Sequence, residues 1–391
     1  MIDITRLRAE TPGVEHVVHL NNAGSALMPS PVVDMILGYL EYEVLNGGYE
    51  AHAKFENEID SVYGSLATLI NGHSNEIALS DNATRAWDMA FYGMGLGEGD
   101  RILTTTTEYV SNWAAYLHLR DTRGIVVDVV PGTSDGEIDI DALDSMIDGS
   151  TKLITLNHIP TNTSVVNPAV AVGSVAKDHG VPFLLDACQS VGHLPVDVEE
   201  IGCDMLAATS RKYLRGPRGE GFLYVRTGFL DMLSPPFVEE FSALIIRPDS
   251  YVLKPDARRF ETWEKNYANV LGMGAAADYA MSIGIESIWA RISALAASLR
   301  DLLADLEGLV LHDIGSTKSG IVTFSVDGRP SIEVQELLSE RKINVSVTTS
   351  RSAPIDMHER GLDSAVRASV HAYNSEAEID TFIDAMSVIA S

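Results

Sequence analysis

Cysteine is nearly absent from this sequence: there are two in 391 residues, Cys188 and Cys203. Two thiols build no disulfide framework, and they do not stand at the spacing of a metal-binding cysteine motif. Apolar runs are short, and none approaches the roughly 20 residues a helix needs to cross a bilayer. The opening MIDITRLRAETPG lacks the apolar core of a secretory signal. Positive charge is scarce too, with 28 Lys and Arg against 55 Asp and Glu, a net charge of −27. Such a surface repels phosphate backbones and anionic lipid, so neither nucleic acid nor a membrane is expected as a partner. A cytoplasmic enzyme is the expectation.

What is present is ordinary for a globular enzyme: 46% hydrophobic and 21% charged residues. The length exceeds the roughly 250–300 residues at which single cores stop growing, which predicts two domains. Strand-like runs alternate with helical periodicity across residues 76–226, the pattern of a mostly parallel sheet covered by helices. In EIALSDNATRAW a short strand breaks at Ser80, Asp81 and Asn82, and a helix starts at Thr84. Free amides and the positive end of the helix dipole make that junction an anion cradle, although Asn with Thr is also a common helix start. Residues 125–132 read as a buried strand, 49–70 as continuous helix and 227–260 as an irregular, hinge-like passage.

Two further runs carry the chemistry. The apolar FLL ends on Asp186 and continues to Gln189, and the apolar run Met205–Ala208 breaks into Thr209, Ser210, Arg211 and Lys212. Strand-end residues of an open parallel sheet converge where such folds bind ligands. A lysine and an aspartate offered together suit a cofactor that needs an imine bond at one end and an acidic partner for a pyridinium nitrogen at the other.

DACQSVGHLPVDV followed by TSRKYLRGPRGEGFLYV resembles the class V aminotransferase family of fold-type I enzymes dependent on pyridoxal 5'-phosphate (PLP). That family includes cysteine desulfurases, isopenicillin N epimerase-like proteins and carbon–sulfur lyases. The resemblance implies an α/β fold-type I architecture, with a mostly parallel seven-stranded sheet in the large domain and a smaller C-terminal α/β domain. The expected boundaries are an N-terminal segment over 1–19 packing with the small domain, a large PLP-binding domain over 20–250, and a small domain over 251–391 that includes a long connecting helix. It further implies that Lys212 carries the cofactor as a Schiff base and then acts as base at Cα, and that Asp186 keeps the pyridine nitrogen protonated. Ala83, Thr84, Thr209 and Arg211 would touch the phosphate, and Tyr109 would stack on the ring where the family often has histidine. Asn112 would order the Tyr109 loop. Gln189 and Asn162 would meet the ring oxygen, with Thr161 or Asn157 as alternatives to Asn162. Arg367, in VRASVHAYNSEAEID, would clamp the substrate carboxylate, and Asn22, Ala23 and Gly24 would line the substrate side. Where desulfurases often read Phe-Glu-x-Gly-Thr, this chain has Phe260, Glu261, Thr262, Trp263 and Glu264. That leaves open whether Thr262 or Trp263 reaches a neighbouring subunit.

The reaction follows less directly. A desulfurase needs a nucleophilic cysteine near Ser346 to Pro354, and SVTTSRSAP holds none. The expectation is therefore an enzyme without persulfide chemistry, a carbon–sulfur lyase eliminating from a cysteine conjugate. The alternatives are an epimerase of the isopenicillin N type, with Tyr109 as second acid–base, an aminotransferase or decarboxylating deaminase, and a non-catalytic binding homologue. The expected partners are a small amino-acid substrate and a second copy of the chain, in a homodimer with interface sites. No metal is expected.

Overall fold

The computed structural model describes residues 2–391. A seven-stranded sheet forms its centre, in the order Ile77–Ser80, Gly221–Val225, Met205–Thr209, Phe183–Asp186, Thr151–Asn157, Arg101–Thr105, Val126–Val130. Gly221–Val225 runs antiparallel to both neighbours, and the other pairings are parallel. The fold is thus the α/β arrangement expected, with strand pairs of the central sheet joined through helices such as Val110–Arg123 and Ala169–His179.

The central strands are apolar on both faces because helices cover both. Phe183, Leu185, Leu206 and Ala208 face one core, and Leu184, Met205 and Ala207 face the other. This alternation sends the side chain of Asp186 towards the second core, where helix Val110–Arg123 lies with Tyr116 and Leu119. A second sheet has the order Leu309–Leu311, Ile321–Val326, Ser364–Ser369, Ser346–Thr349, all antiparallel. The chain's first strand, Val18–His19, pairs in parallel with Ile343–Asn344, so residues near the start are tied to residues near the end. Helix Tyr267–Ile283 is largely apolar, with Asp278 and Ser282 on its exposed side, and packs on helices Ser30–Asn46 and Glu56–Leu69.

Local expectations need correction in several places. Val126–Val130 is the outermost strand and largely uncovered, with Val126 42% exposed, because no strand follows it in the sheet. The helix expected over 49–70 breaks at Phe55, whose ring packs on Tyr39 and Tyr42. Within 227–260 the chain forms an antiparallel hairpin, Ala243–Arg247 with Ser250–Leu253. Ile343–Asn344 and Ser346–Thr349 are separate strands that serve different partners. The short helix Pro354–Glu359 was not anticipated.

One close approach fixes how helix Ala169–His179 seats against the short helix Val198–Ile201. A Cβ added at Gly173 would lie 1.7 Å from the carbonyl oxygen of Ile201. Backbone cannot yield there as a flexible side chain would, so Gly173→Ala should destabilise the fold by about 1–3 kcal/mol, read as a lower urea midpoint.

Candidate active site

Asn157 and Asp186 are paired neighbours at the carboxyl ends of adjacent parallel strands. Asp186 is buried, and its carboxylate accepts three hydrogen bonds. Asn157 Nδ2 at 2.9 Å and Asn112 Nδ2 at 3.1 Å meet Oδ2, and the Cys188 amide at 3.0 Å meets Oδ1. One strand further on, Thr209 ends Met205–Thr209 and the chain turns through Ser210 and Arg211 to Lys212. Burial is the main cause that pushes the Lys212 amine below its usual pKa. Arg211 and Arg367 push the same way, while Cys188 and Asp186 oppose them. Aspartate, lysine and Arg367 are therefore within electrostatic reach of one another, at one end of the sheet.

Arg367 arrives from the second sheet, where it is paired across the ladder with Ser346 and Thr323. Its Nη1 donates to the carbonyl (2.9 Å) and hydroxyl (2.7 Å) of Thr161, and its Nη2 to Asn21 Oδ1 at 3.5 Å. Its Nε finds no partner. Burial pushes the guanidinium down to about 10. Among the described residues, none of Arg211, Lys212 and Arg367 forms an ion pair with a carboxylate. Buried cations without counter-ions are costly unless an anion completes them. That is the electrostatic signature of a site for an anionic ligand.

The phosphate-side candidates lie at the junction of strand and helix. Asn82 caps helix Ala83–Gly93 by accepting from the Arg85 amide at 2.9 Å. The amides of Ala83 and Thr84 find no protein acceptor among the described residues. Gly221 permits the close approach, since a Cβ there would lie 2.8 Å from the Ala83 nitrogen. Thr209 is the register partner of Gly221, and its hydroxyl donates to the Glu220 carbonyl at 3.3 Å.

The remaining candidates divide. Gln189 donates to the Ala23 carbonyl at 3.1 Å, which leaves its buried Oε1 unpartnered. Arg211 donates to the Gly24 carbonyl, holding the N-terminal segment over the lysine turn. Asn22 is not free to meet a ligand. It donates to the Ser369 carbonyl at 2.8 Å and accepts from the Tyr373 hydroxyl. The residue of that segment aimed at Arg367 is Asn21, which sequence reasoning missed. Of the alternatives left open, Asn157 sits on Asp186, Thr161 on Arg367, and Asn162 donates to Asp356 at 2.6 Å. Tyr109 precedes the helix bearing Asn112, and its amide donates to Glu108 Oε1 at 2.8 Å and Asn157 Oδ1 at 3.0 Å. Thr262 donates only to the Glu264 carbonyl, and Trp263 is 48% exposed beside Phe241.

Two free amides at a helix start, an acid and an amine at one end of the sheet, and a guanidinium without an ion pair are the groups that a PLP-dependent enzyme acting on an amino acid calls for. The unpartnered Gln189 Oε1, the glycine-narrowed cradle and the unpaired cations fit that cofactor. The aminotransferase class-V family model matches residues 18–382, and the chain belongs to that family. It is 29% identical to a probable cysteine desulfurase of Methanothermobacter thermautotrophicus over 98% of this chain and 97% of the relative. The identity to one from Pyrococcus abyssi is also 29%, over 96% and 95%. The apo cysteine desulfurase of Thermococcus onnurineus superposes with a TM-score of 0.92 at 27% identity, covering 100% and 98% of the two chains. A C-DES variant with glycine covalently linked to its PLP cofactor shares the fold, at a TM-score of 0.87 and 24% identity over 97% and 98%.

These similarities overturn one expectation. A lyase standing apart from desulfurase chemistry conflicts with whole-chain likeness to proteins named cysteine desulfurase. Ser346–Pro354 holds no cysteine, so that segment supplies no thiol.

The depressed Lys212 has a measurable consequence. A base whose folded pKa lies below its unfolded value of 10.5 costs stability at low and neutral pH, and the cost is relieved as pH rises towards 10.5. Cofactor-free Lys212→Met should therefore be more stable than wild type at neutral pH by about 0.5–2 kcal/mol. Denaturant titrations should show the two proteins converging as pH approaches 10.5.

Proposed function

We propose that this chain uses PLP to take the sulfur from L-cysteine, leaving alanine. The observation that carries the reading is the trio of Lys212, Arg211 and Arg367, the last buried and the other two half-buried, with no ion pair among the described residues and with Asp186 nearby. Whole-chain similarity to proteins named cysteine desulfurase supports the choice of substrate.

When bound, the cofactor supplies an electron sink for charge developing at the substrate's Cα. Asp186, held by Asn112, Asn157 and the Cys188 amide, would face the ring nitrogen. The Ala83 and Thr84 amides with Arg211 would hold the phosphate, and Gln189 would meet the ring oxygen. Arg367, steadied by Thr161 and Asn21, would take the substrate carboxylate in a two-pronged grip. Lys212, its amine depressed by burial, would carry the proton at Cα.

Sulfur then needs a thiolate acceptor. Burial, with Asp186, pushes the Cys188 thiol well up, and burial pushes Cys203 up as well. Thiols so raised stay protonated and are poor nucleophiles. The acceptor in this reading is a thiol from outside the chain. Its sulfur bonds to the cysteine sulfur, the Cβ–S bond breaks with its electron pair passing to carbon, and Cβ is protonated to alanine. The acceptor leaves as a persulfide.

The protein loaded with PLP and given L-cysteine and dithiothreitol should yield alanine and sulfide in equal amounts. Lys212→Ala should yield none, and the rate of alanine formation should rise with added dithiothreitol above the level that cysteine's own thiol supports. Pyruvate with ammonia, in place of alanine, would refute the reading.

The acting form we propose is a homodimer in the cytoplasm, the compartment suited to two unpaired thiols. Leu37, Val44, Leu45 and Tyr49 on one side, and Leu244, Ile245 and Tyr251 of the hairpin, are exposed apolar residues of the kind an interface covers. Sedimentation should give twice the 42.3 kDa of the chain, and a fully active monomer would contradict it.

A further inference from the structure

The face and the edge of the proposed ring site share one support that none of these roles uses. Glu108 is 1% exposed and lies between strand Arg101–Thr105 and helix Val110–Arg123. Its Oε1 accepts from the Tyr109 amide at 2.8 Å and from Asn112 Nδ2 at 3.0 Å. Its Oε2 accepts from the hydroxyls of Thr104 at 2.6 Å and Tyr116 at 2.8 Å. Tyr116 is in turn 2.7 Å from Thr155 on the neighbouring strand. Oε1 thus accepts from two N–H groups, and Oε2 is met by two hydroxyls, in a buried position.

The arrangement is specific rather than a filler of buried polarity. Asn112 Nδ2 spans two carboxylates, donating to Glu108 Oε1 and to Asp186 Oδ2. An amide carbonyl turned that way would face two acceptors, so Glu108 dictates which end of Asn112 meets Asp186. The Tyr109 amide is likewise held between Glu108 Oε1 and Asn157 Oδ1, and Asn157 Nδ2 returns to Asp186. A closed circuit therefore runs from Glu108 through Asn112 to Asp186, through Asn157 to Tyr109, and back.

We propose that Glu108 is the positioning residue of the ring site, one carboxylate that aims Asp186 at the edge of the cofactor ring and sets Tyr109 against its face. The proposal rests on the PLP reading above. Its effect is geometric: an acceptor at Oε1 is what Asn112 and the Tyr109 amide require. Glutamine keeps that acceptor, because its amide nitrogen can turn to Thr104 and Tyr116, whose hydroxyls accept as well as donate. Alanine removes it.

The test compares Glu108→Ala, Glu108→Gln and Asn112→Ala with wild type. The readouts are PLP affinity, visible circular dichroism per bound cofactor, and hydrogen exchange of the Tyr109 amide in cofactor-free protein. Glu108→Ala should weaken PLP binding about tenfold to a hundredfold, change the dichroism that reports ring orientation, and speed exchange at Tyr109. Glu108→Gln should restore most of all three. Asn112→Ala, which cuts only the arm to Asp186, should alter affinity and dichroism while leaving Tyr109 protected, and it serves if Glu108→Ala does not fold. Wild-type affinity and dichroism in Glu108→Ala or Asn112→Ala, or glutamine no better than alanine, would overturn the proposal. A wild type that takes up no borohydride-reducible PLP would refute the cofactor reading separately, and Tyr109 exchange would still decide whether Glu108 holds its loop.

Discussion

Everything at the sheet's end answers to one electrostatic constraint: three cations gather there and, among the described residues, none of them closes an ion pair. In a chain of net charge −27, carboxylates are the commonest charged partner available. Arg300 has taken one, with Asp313 at 2.5 Å, and Lys265 has taken Glu261 at 2.5 Å. Lys212, Arg211 and Arg367 have not. Their neighbours offer neutral oxygens instead, namely the Gly24 carbonyl to Arg211 and Thr161 and Asn21 to Arg367. Neutral acceptors orient a cation without cancelling it, so attraction is kept for a ligand that brings its own anions.

Holding such a site open takes structure from opposite ends of the chain. The lysine turn is clasped by the N-terminal segment, where the Ala26 amide donates to the Arg211 carbonyl at 2.9 Å. That segment is fixed to the second sheet by Asn22, which spends its amide on Ser369 and Tyr373. A residue that sequence suggests for substrate contact thus does its work one step back, by placing Asn21 beside Arg367.

The parts of the site legible in the sequence were those written locally. Asp186 and Lys212 each follow an apolar run that folds as a strand, and Asn82 marks a helix start where its side chain in fact caps one. Glu108, Asn157 and Asn21 carried no such mark. Asn157 and Asn21 act through partners dozens to hundreds of residues away, while Glu108 acts through near neighbours, Thr104, Tyr109, Asn112 and Tyr116, which only the turn from strand to helix gathers onto one carboxylate. Asn157 in particular reads as the last residue of a strand, and only its register with Asp186 brings its amide to that carboxylate. The hairpin Ala243–Arg247 with Ser250–Leu253 was obscured differently: prolines nearby signal a break, while its apolar residues stay exposed and so show no buried face. The reaction was misjudged because a cysteine absent from one short segment was set above likeness along the whole chain.

The parallel pairing of Val18–His19 with Ile343–Asn344 carries a consequence for the protein's birth on the ribosome. The first strand emerges early and waits for a partner made more than 300 residues later. Until then the segment around Asn21 has no floor, and Arg367 does not yet exist. The large sheet can assemble while translation continues, but the pocket closes only once the last strands and helix Glu376–Ala390 have been released. The substrate side of the pocket is therefore completed later than the sheet that offers Asp186 and Lys212.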